Sequence, residues 1–200
     1  MNMKRSLVII AFIIALINFG ICEEKNLILN GGFEILGNGL GDLVTKEPEM
    51  YDKVENSPFL NWGFGGKWEG GEYKCEVVPG RTGKNAVKIS CVTKGRGGIC
   101  TPLISVEGGS KLLLTFWIKA DNAMGRIFVN FEGDPGDGWK SIDCKPGTYD
   151  WMEMKREIIV PYGKGGKNPR INLFFYNKTA GDVYIDDVSL TKIAKTEEEE

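Results

Sequence analysis

Histidine is absent from the 200-residue chain. That absence removes Ser-His-Asp and Cys-His nucleophilic sites and His-ligated zinc. Imidazole general-base chemistry goes with it, so a catalyst here would rest on carboxylates, Tyr, Lys or a metal. An excess of positive charge is also lacking. The 25 Lys and Arg face 27 Asp and Glu, a formal net charge of −2, which argues against a basic nucleic-acid binder. Proline is scarce, at 8 residues, and no Gly-X-Y period is present. P-loop, EF-hand and dinucleotide fingerprints are missing. Tyr162–Lys167 lacks the spacing and following helix of a phosphate loop and reads as a basic surface turn. Glu132–Gly138 is acidic but lacks the DxDxDG order and reads as a strand connection. What is abundant is glycine, 27 of 200 residues against roughly 7% in average proteins. With few prolines, that excess predicts many tight turns, as in all-β domains.

The N-terminus reads as a secretory leader. Lys4 and Arg5 form a short basic region, and the apolar run Ser6–Ile21 follows. That run is shorter than the ~20 residues of a membrane span and matches a leader's hydrophobic region. Gly20 and Cys22 stand at −3 and −1 for cleavage before Glu23. Removing 1–22 takes away two positive charges and leaves a net charge of −4. Cys22 has an alternative role as a lipidated first residue, although Phe19 and Ile21 depart from the usual lipobox. Secretion is therefore expected, with a lipid-anchored surface form as the alternative. The predicted division is a leader at 1–22, one domain at 23–192 and an acidic, solvated tail at 193–200.

Cys75, Cys91, Cys100 and Cys144 remain after the leader. An even count in a secreted chain predicts two disulfides with three connectivities. A glycine-rich turn between two strands favours Cys91–Cys100, and with it Cys75–Cys144. No CxxC is present, so zinc and thioredoxin chemistry lack support.

Short alternating segments fill the domain. They are Ala86–Val92, Lys111–Ala120, Arg126–Glu132, Glu157–Val160, Arg170–Asn177 and Asp182–Thr191. Turn residues separate them, and no sustained helical period appears. Trp151–Glu157 reads as strand or turn. The expected fold is all-β, a two-sheet antiparallel jelly-roll sandwich of the galactose-binding-domain-like kind. Leu36–Asn61 is pattern-poor, and reads as a lid-like or disordered loop or as a wrap around one sandwich end.

Motifs at the two ends narrow this further. The sequence reads N-L-I-L-N-G-G-F-E over Asn26–Glu34 and G-D-V-Y-I-D-D-V-S-L over Gly181–Leu190. Arg81–Ile89 carries a turn-and-strand segment with Thr82 at a usual Ser position, and Leu113–Ala120 reads L-L-T-F-W-I-K-A. Their order and spacing resemble the jelly-roll carbohydrate-binding modules of families 4, 9 and 22, from Asn26 to about Lys192. The paired cysteines and the 36–61 segment depart from that pattern.

The resemblance implies a structural calcium ion joining the two ends. Glu34 and Asp186 would be its carboxylate ligands, with Asp187 the alternative, and carbonyls near Gly32 and in Leu60–Trp68 would complete the shell. Period-two parity places Asp186 on the side of Val188 and Leu190, where an unpartnered carboxylate is costly. The resemblance also implies a groove for a polysaccharide of the β-glucan or xylan class. Sugar rings stack their C–H faces on aromatics while amides and carboxylates bind hydroxyls. Phe128, Asn130 and Glu132 share one strand face, and Asn172, Phe174 and Tyr176 share another. Trp68, Tyr73 and Trp139 are candidates for the rim. Trp62 is expected in the core and Trp151 in core or edge packing. Trp117 lies on the non-aliphatic side of its strand, in one sheet or the other. Asn177-Lys178-Thr179 is an N-glycosylation sequon.

A non-catalytic monomer with no nucleic-acid partner is the expectation. The competing readings are a cell-surface protein-interaction or spacer module and a carboxylate-dependent hydrolase or lyase. The latter would pair Glu132 with Glu69 or Asp137.

Overall fold

A computed structural model describes residues 25–41, 54–68, 72–93, 96–132 and 139–193; the side chains of residues 54–56, 66–68, 96, 139 and 164 lie outside that description. Residues 1–24, where the leader is expected, residues 42–53, and residues 194–200, the expected tail, are also outside it. Twelve strands are present among the described residues. They are β1 (Val54–Asn56), β2 (Gly63–Trp68), β3 (Tyr73–Pro79), β4 (Asn85–Cys91), β5 (Arg96–Cys100) and β6 (Ile104–Ser105), then β7 (Lys111–Ala123), β8 (Gly125–Glu132), β9 (Trp139–Asp143), β10 (Gly147–Ile159), β11 (Arg170–Asn177) and β12 (Gly181–Lys192). One 3-10 turn at Lys164–Gly166 is the only helical element among these residues.

The strands form two antiparallel sheets. A seven-stranded sheet runs β1-β2-β5-β11-β8-β9, with β6 also on β11, and a five-stranded sheet runs β10-β7-β12-β4-β3. This is the predicted jelly-roll sandwich. The alternation that defines the strands also defines the core. Leu112, Leu114, Phe116, Ile118 and Ala120 of β7 are buried on one side; the seven-stranded sheet supplies the facing layer, with Ile127, Val129 and Phe131 of β8 beside Phe175, Leu173 and Ile171 of its neighbour β11. Side chains of period two project to opposite faces, so each strand gives the core half its residues.

The undecided stretch 151–157 lies inside the 13-residue strand β10, which also absorbs the separately predicted 157–160 strand apart from Val160. Register shifts between Gly147, Tyr149 and Met152 break its alternation. The 36–61 segment is pinned at both ends. Leu36 bridges Phe59, Gly37 N–H donates to the Pro58 carbonyl (3.0 Å), and Leu60 N–H donates to the Ile35 carbonyl (3.0 Å). Phe59 and Trp62 then enter the core, so this stretch closes one region of the sandwich before β2 begins.

The disulfide expectation is corrected. None of Cys75, Cys91, Cys100 and Cys144 is joined in a disulfide. Cys91 ends β4 in one sheet and Cys100 ends β5 in the other. The glycine turn between them therefore crosses between sheets and does not make a hairpin. Cys75 sits on edge strand β3, whereas Cys144 follows β9 at the opposite edge of the other sheet. Burial pushes the thiols of Cys75, Cys100 and Cys144 up to about 12, so they are protonated and poor nucleophiles at neutral pH.

The sequon is closed as well. Asn177 is fully buried. Its amide Nδ2 donates to the carbonyls of Gly181 (2.7 Å) and Ile89 (3.3 Å), and its Oδ1 accepts from Thr179 N–H (3.1 Å). The nitrogen a glycan would need is committed inside the fold.

Candidate functional site

The outward face of the seven-stranded sheet brings together six of the predicted binding residues. Strands β8 and β11 pair so that Phe128 lies opposite Phe174 and Asn130 opposite Asn172. One step further, Glu132 faces Arg170; at the other end, Arg126 faces Tyr176. Directly paired residues share a face, so these eight side chains form two parallel files. Strand β9 extends them, with Ser141 opposite Phe128, Asp143 opposite Arg126 and Trp139 opposite Asn130.

At the centre is an aromatic cluster. Phe128 stacks on Tyr176, with ring centroids 5.0 Å apart and planes at 24°, and Phe174 tilts against Tyr176 at 6.0 Å. Phe174 and Tyr176 are 2% and 0% exposed, whereas Phe128 is half-buried. The reason lies in their neighbours. Cys100 and Gly98 of β5 stand opposite Phe174 and Tyr176, and a Cβ at Gly98 would collide with Tyr176. Small residues there let the large rings settle onto the sheet. Phe174 and Tyr176 are therefore supports beneath the surface, a correction to their expected role as stacking platforms. Phe128 is the ring presented above them.

Ion pairs bracket the cluster. Arg126 Nε and Nη2 donate to the two Asp143 oxygens, the second at 2.7 Å. Arg170 forks onto Glu132, with Nη2–Oε1 at 2.6 Å. The Arg126 guanidinium holds the Asp143 carboxyl below the usual carboxylate range. Bidentate pairing fixes geometry as well as charge, so both ends of the face are rigid and locally neutral. Asn172 donates its amide to the Thr101 carbonyl. Thr101 is in turn locked to Leu173, whose carbonyl accepts from Thr101 N–H (3.0 Å) and whose N–H donates to the Thr101 hydroxyl (3.1 Å). The Asn172 head group is thereby oriented. Arg126, Asp143 and Arg170 were not among the predicted residues. Period-two parity with Phe128 and Asn172 could have found the two arginines.

Other expectations fall elsewhere. Tyr73 belongs to β3 of the opposite sheet. Its ring occupies the space a Cβ at Gly97 would take and meets Phe64 edge-on at 6.5 Å, so it is no part of this face. Trp68 lies in β2 and Trp139 in β9, but their side chains are outside the described residues. Trp117, Tyr184 and Trp151 stand on the outward side of the five-stranded sheet, away from this face. Trp151 meets Tyr184 edge-on at 6.4 Å.

The expected calcium ligands do come together, at the junction of the two chain ends with the turn at 80–85, but their oxygens are taken. Asp186 Oδ2 accepts N–H bonds from Arg81 (2.8 Å) and Thr82 (3.3 Å), and its Oδ1 accepts from Asp187 N–H (2.8 Å). Asp187 accepts from the Thr82 hydroxyl (2.6 Å) and from the Arg81 side chain (3.0 Å). Glu34 accepts from the N–H groups of Lys84 (2.8 Å) and Asn85 (3.0 Å). Gly32 lies beside Asp187 and Glu34. Calcium takes 6–8 oxygens converging at about 2.3–2.6 Å. Here each carboxylate points at a hydrogen-bond donor, and no group of three acidic or thiol ligands converges among the described residues. The arrangement does not fit the ion.

Parity also fails at this point. Asp186 lies opposite Trp117, on the outward register, and a bulge between Asp186 and Ser189 with Asp187 at φ 50° then returns Val188 and Leu190 to the core. The 80–82 turn, rather than the core, covers Asp186. Burial there raises its carboxyl above the ordinary value, against the three N–H bonds that lower it.

No family model and no curated protein matches the chain. Solved structures do. The enzymatically active domain of tailspike protein 4 from bacteriophage CBA120 aligns over 84% of this chain and 21% of its own, at 17% identity and TM-score 0.55. The CBM22-1–GH10 modules of a Clostridium thermocellum endo-1,4-β-D-xylanase, solved with xylohexaose, align over 67% of this chain and 26% of theirs, at 14% identity and TM-score 0.50. TmCBM61, solved with β-1,4-galactotriose, aligns over 84% of this chain and 99% of its own, at 18% identity and TM-score 0.50. The chain thus spans about a fifth to a quarter of the first two and nearly all of the third. At these identities the likeness is one of fold, the jelly-roll sandwich of carbohydrate-binding modules.

Proposed function

We propose that this chain is a secreted, non-catalytic module that binds a neutral polysaccharide of the β-glucan or xylan class on the outward face of its seven-stranded sheet. The observation that carries this is the meeting of Phe128, Asn130 and Glu132 with Asn172 on adjacent strands. An aromatic ring flanked by amides matches a sugar's apolar face and its equatorial hydroxyls. Neutral ligands are favoured because both arginines of the face are already closed by carboxylates. A uronate would have to break one of these forks. Solved structures of the same fold bound to xylohexaose and β-1,4-galactotriose support the class.

The non-catalytic reading also has support in the site. Hydrolysis needs two carboxyl groups about 5–9.5 Å apart with freedom to exchange protons. Glu132 is held by Arg170 in a two-bond fork. Glu69 and Asp137 lie outside the described residues. A second reading, a surface module that binds protein, draws on exposed Leu29, Ile35, Leu36 and Leu60 around one turn region.

Affinity electrophoresis in soluble β-glucan and xylan tests the proposal. Phe128→Ala is expected to weaken retention by roughly 30-fold, the ~2 kcal/mol of one aromatic anchor, with unchanged far-UV circular dichroism. Lys119→Ala, on the other sheet, should be retained like the parent. Equal retention of Phe128→Ala and parent would place binding elsewhere.

A further inference from the structure

The junction that ties the N-terminal segment to strand β12 has its own cation. The Arg81 guanidinium lies 3.7 Å from the centre of the Trp117 ring. Its Nη2 and Nε are 3.0 and 3.2 Å from Asp187 Oδ2. It is thus held between an aromatic face and a carboxylate, both partly shielded from water. A guanidinium is planar and weakly hydrated, so it stacks and pairs at once at a modest desolvation cost. The backbone of the same residue donates to Asp186, and the next residue reaches both aspartates. Two residues further on, Lys84 and Asn85 N–H groups hold Glu34. One turn therefore grips the N-terminal segment through Glu34 and strand β12 through Asp186 and Asp187.

The two ends are also joined directly. Leu27 N–H donates to the Leu190 carbonyl (2.8 Å), Val188 N–H to the Gly31 carbonyl (2.9 Å), and Leu190 N–H to Asn26 Oδ1 (2.9 Å). A methyl group at Gly31 would overlap the Val188 carbonyl, so the segments are in closest contact there. Every carboxylate at the junction faces an N–H, a hydroxyl or the Arg81 side chain. A divalent ion would have to expel those donors before it gained ligands.

We propose that Arg81, together with the amide groups of the 80–85 turn, closes this junction, and that the folded chain needs no calcium there. Thermal melts of the parent in excess EDTA and in millimolar calcium should then coincide. Equilibrium dialysis against radioactive calcium should find no tightly bound ion. Arg81→Gln should lower the midpoint by several degrees equally in both solutions. Tryptophan emission of the folded variant should also shift, since the charge over Trp117 is gone. Arg81→Lys, which keeps the charge without the planar fork, should fall between them. A midpoint that rises with calcium and falls with EDTA, one ion bound per chain, or an Arg81→Gln variant melting like the parent would each overturn the proposal.

Discussion

Trp62→Ala is expected to destabilise the fold by about 4 kcal/mol, the cost of emptying a fully buried aromatic site. For a domain of this size that lowers the melting midpoint by roughly 10 °C. Trp62 is wholly buried. Its ring lies 4.8 Å from Phe33 and 6.0 Å from Phe175, and Phe33 meets Phe59 edge-on at 5.1 Å. These four rings come from the N-terminal segment, the return of the 36–61 excursion and β11. The indole N–H donates to the Asn30 carbonyl (3.1 Å), and the Trp62 carbonyl accepts from the Ser57 hydroxyl (2.8 Å). Removing the indole both opens a cavity and leaves the Asn30 carbonyl short of a partner. Differential scanning calorimetry of parent and variant checks the size of the shift.

Asn177→Ala should cost about 3 kcal/mol, because it strands buried polar groups on both sides of the side chain. The Gly181 and Ile89 carbonyls lose a donor, and Thr179 N–H loses its acceptor. Asn177 stands at the end of β11, Ile89 lies in β4 of the other sheet, and Gly181 opens β12. One amide thus spans the sandwich beside the turn that connects β11 to β12. Asn177→Asp should be no better, since a carboxylate restores the bond to Thr179 but faces two carbonyl oxygens. Urea midpoints of the two variants measure this. The account fails here if Asn177→Asp matches the parent, for that would mean the Nδ2 bonds contribute nothing.

The parts of the molecule legible in the sequence are those where one simple period runs unbroken. Strands β7 and β8 alternate in burial along most of their length and β11 does so over Arg170–Leu173, so the sandwich core and the sides of the strands that carry Phe128/Asn130/Glu132 and Asn172/Phe174/Tyr176 could be written down from residue order alone. What residue order could not supply was depth. Whether Phe174 and Tyr176 stand up or lie down depends on Gly98 and Cys100, which belong to a strand distant in sequence. Broken periods hid the rest. The bulge at Asp187 requires a left-handed backbone at a non-glycine residue, and it reverses the face on which Asp186 lies. The register shifts of β10 likewise masked a long edge strand. The cysteines misled for a different reason. Their even number implied pairing, whereas the topology puts the two members of each expected pair on different sheets.

The most direct test follows amide chemical shifts of the isotope-labelled chain from Glu23 onward during titration with neutral β-1,4-linked hexasaccharides, xylohexaose and cellohexaose. The largest perturbations are predicted at Arg126–Glu132 and Arg170–Tyr176, the two strands that carry Phe128 and the asparagines, with little change in the five-stranded sheet. Shifts centred on Trp117, Trp151 and Tyr184, or none with either saturating sugar, would contradict the assignment of this face as the glycan site.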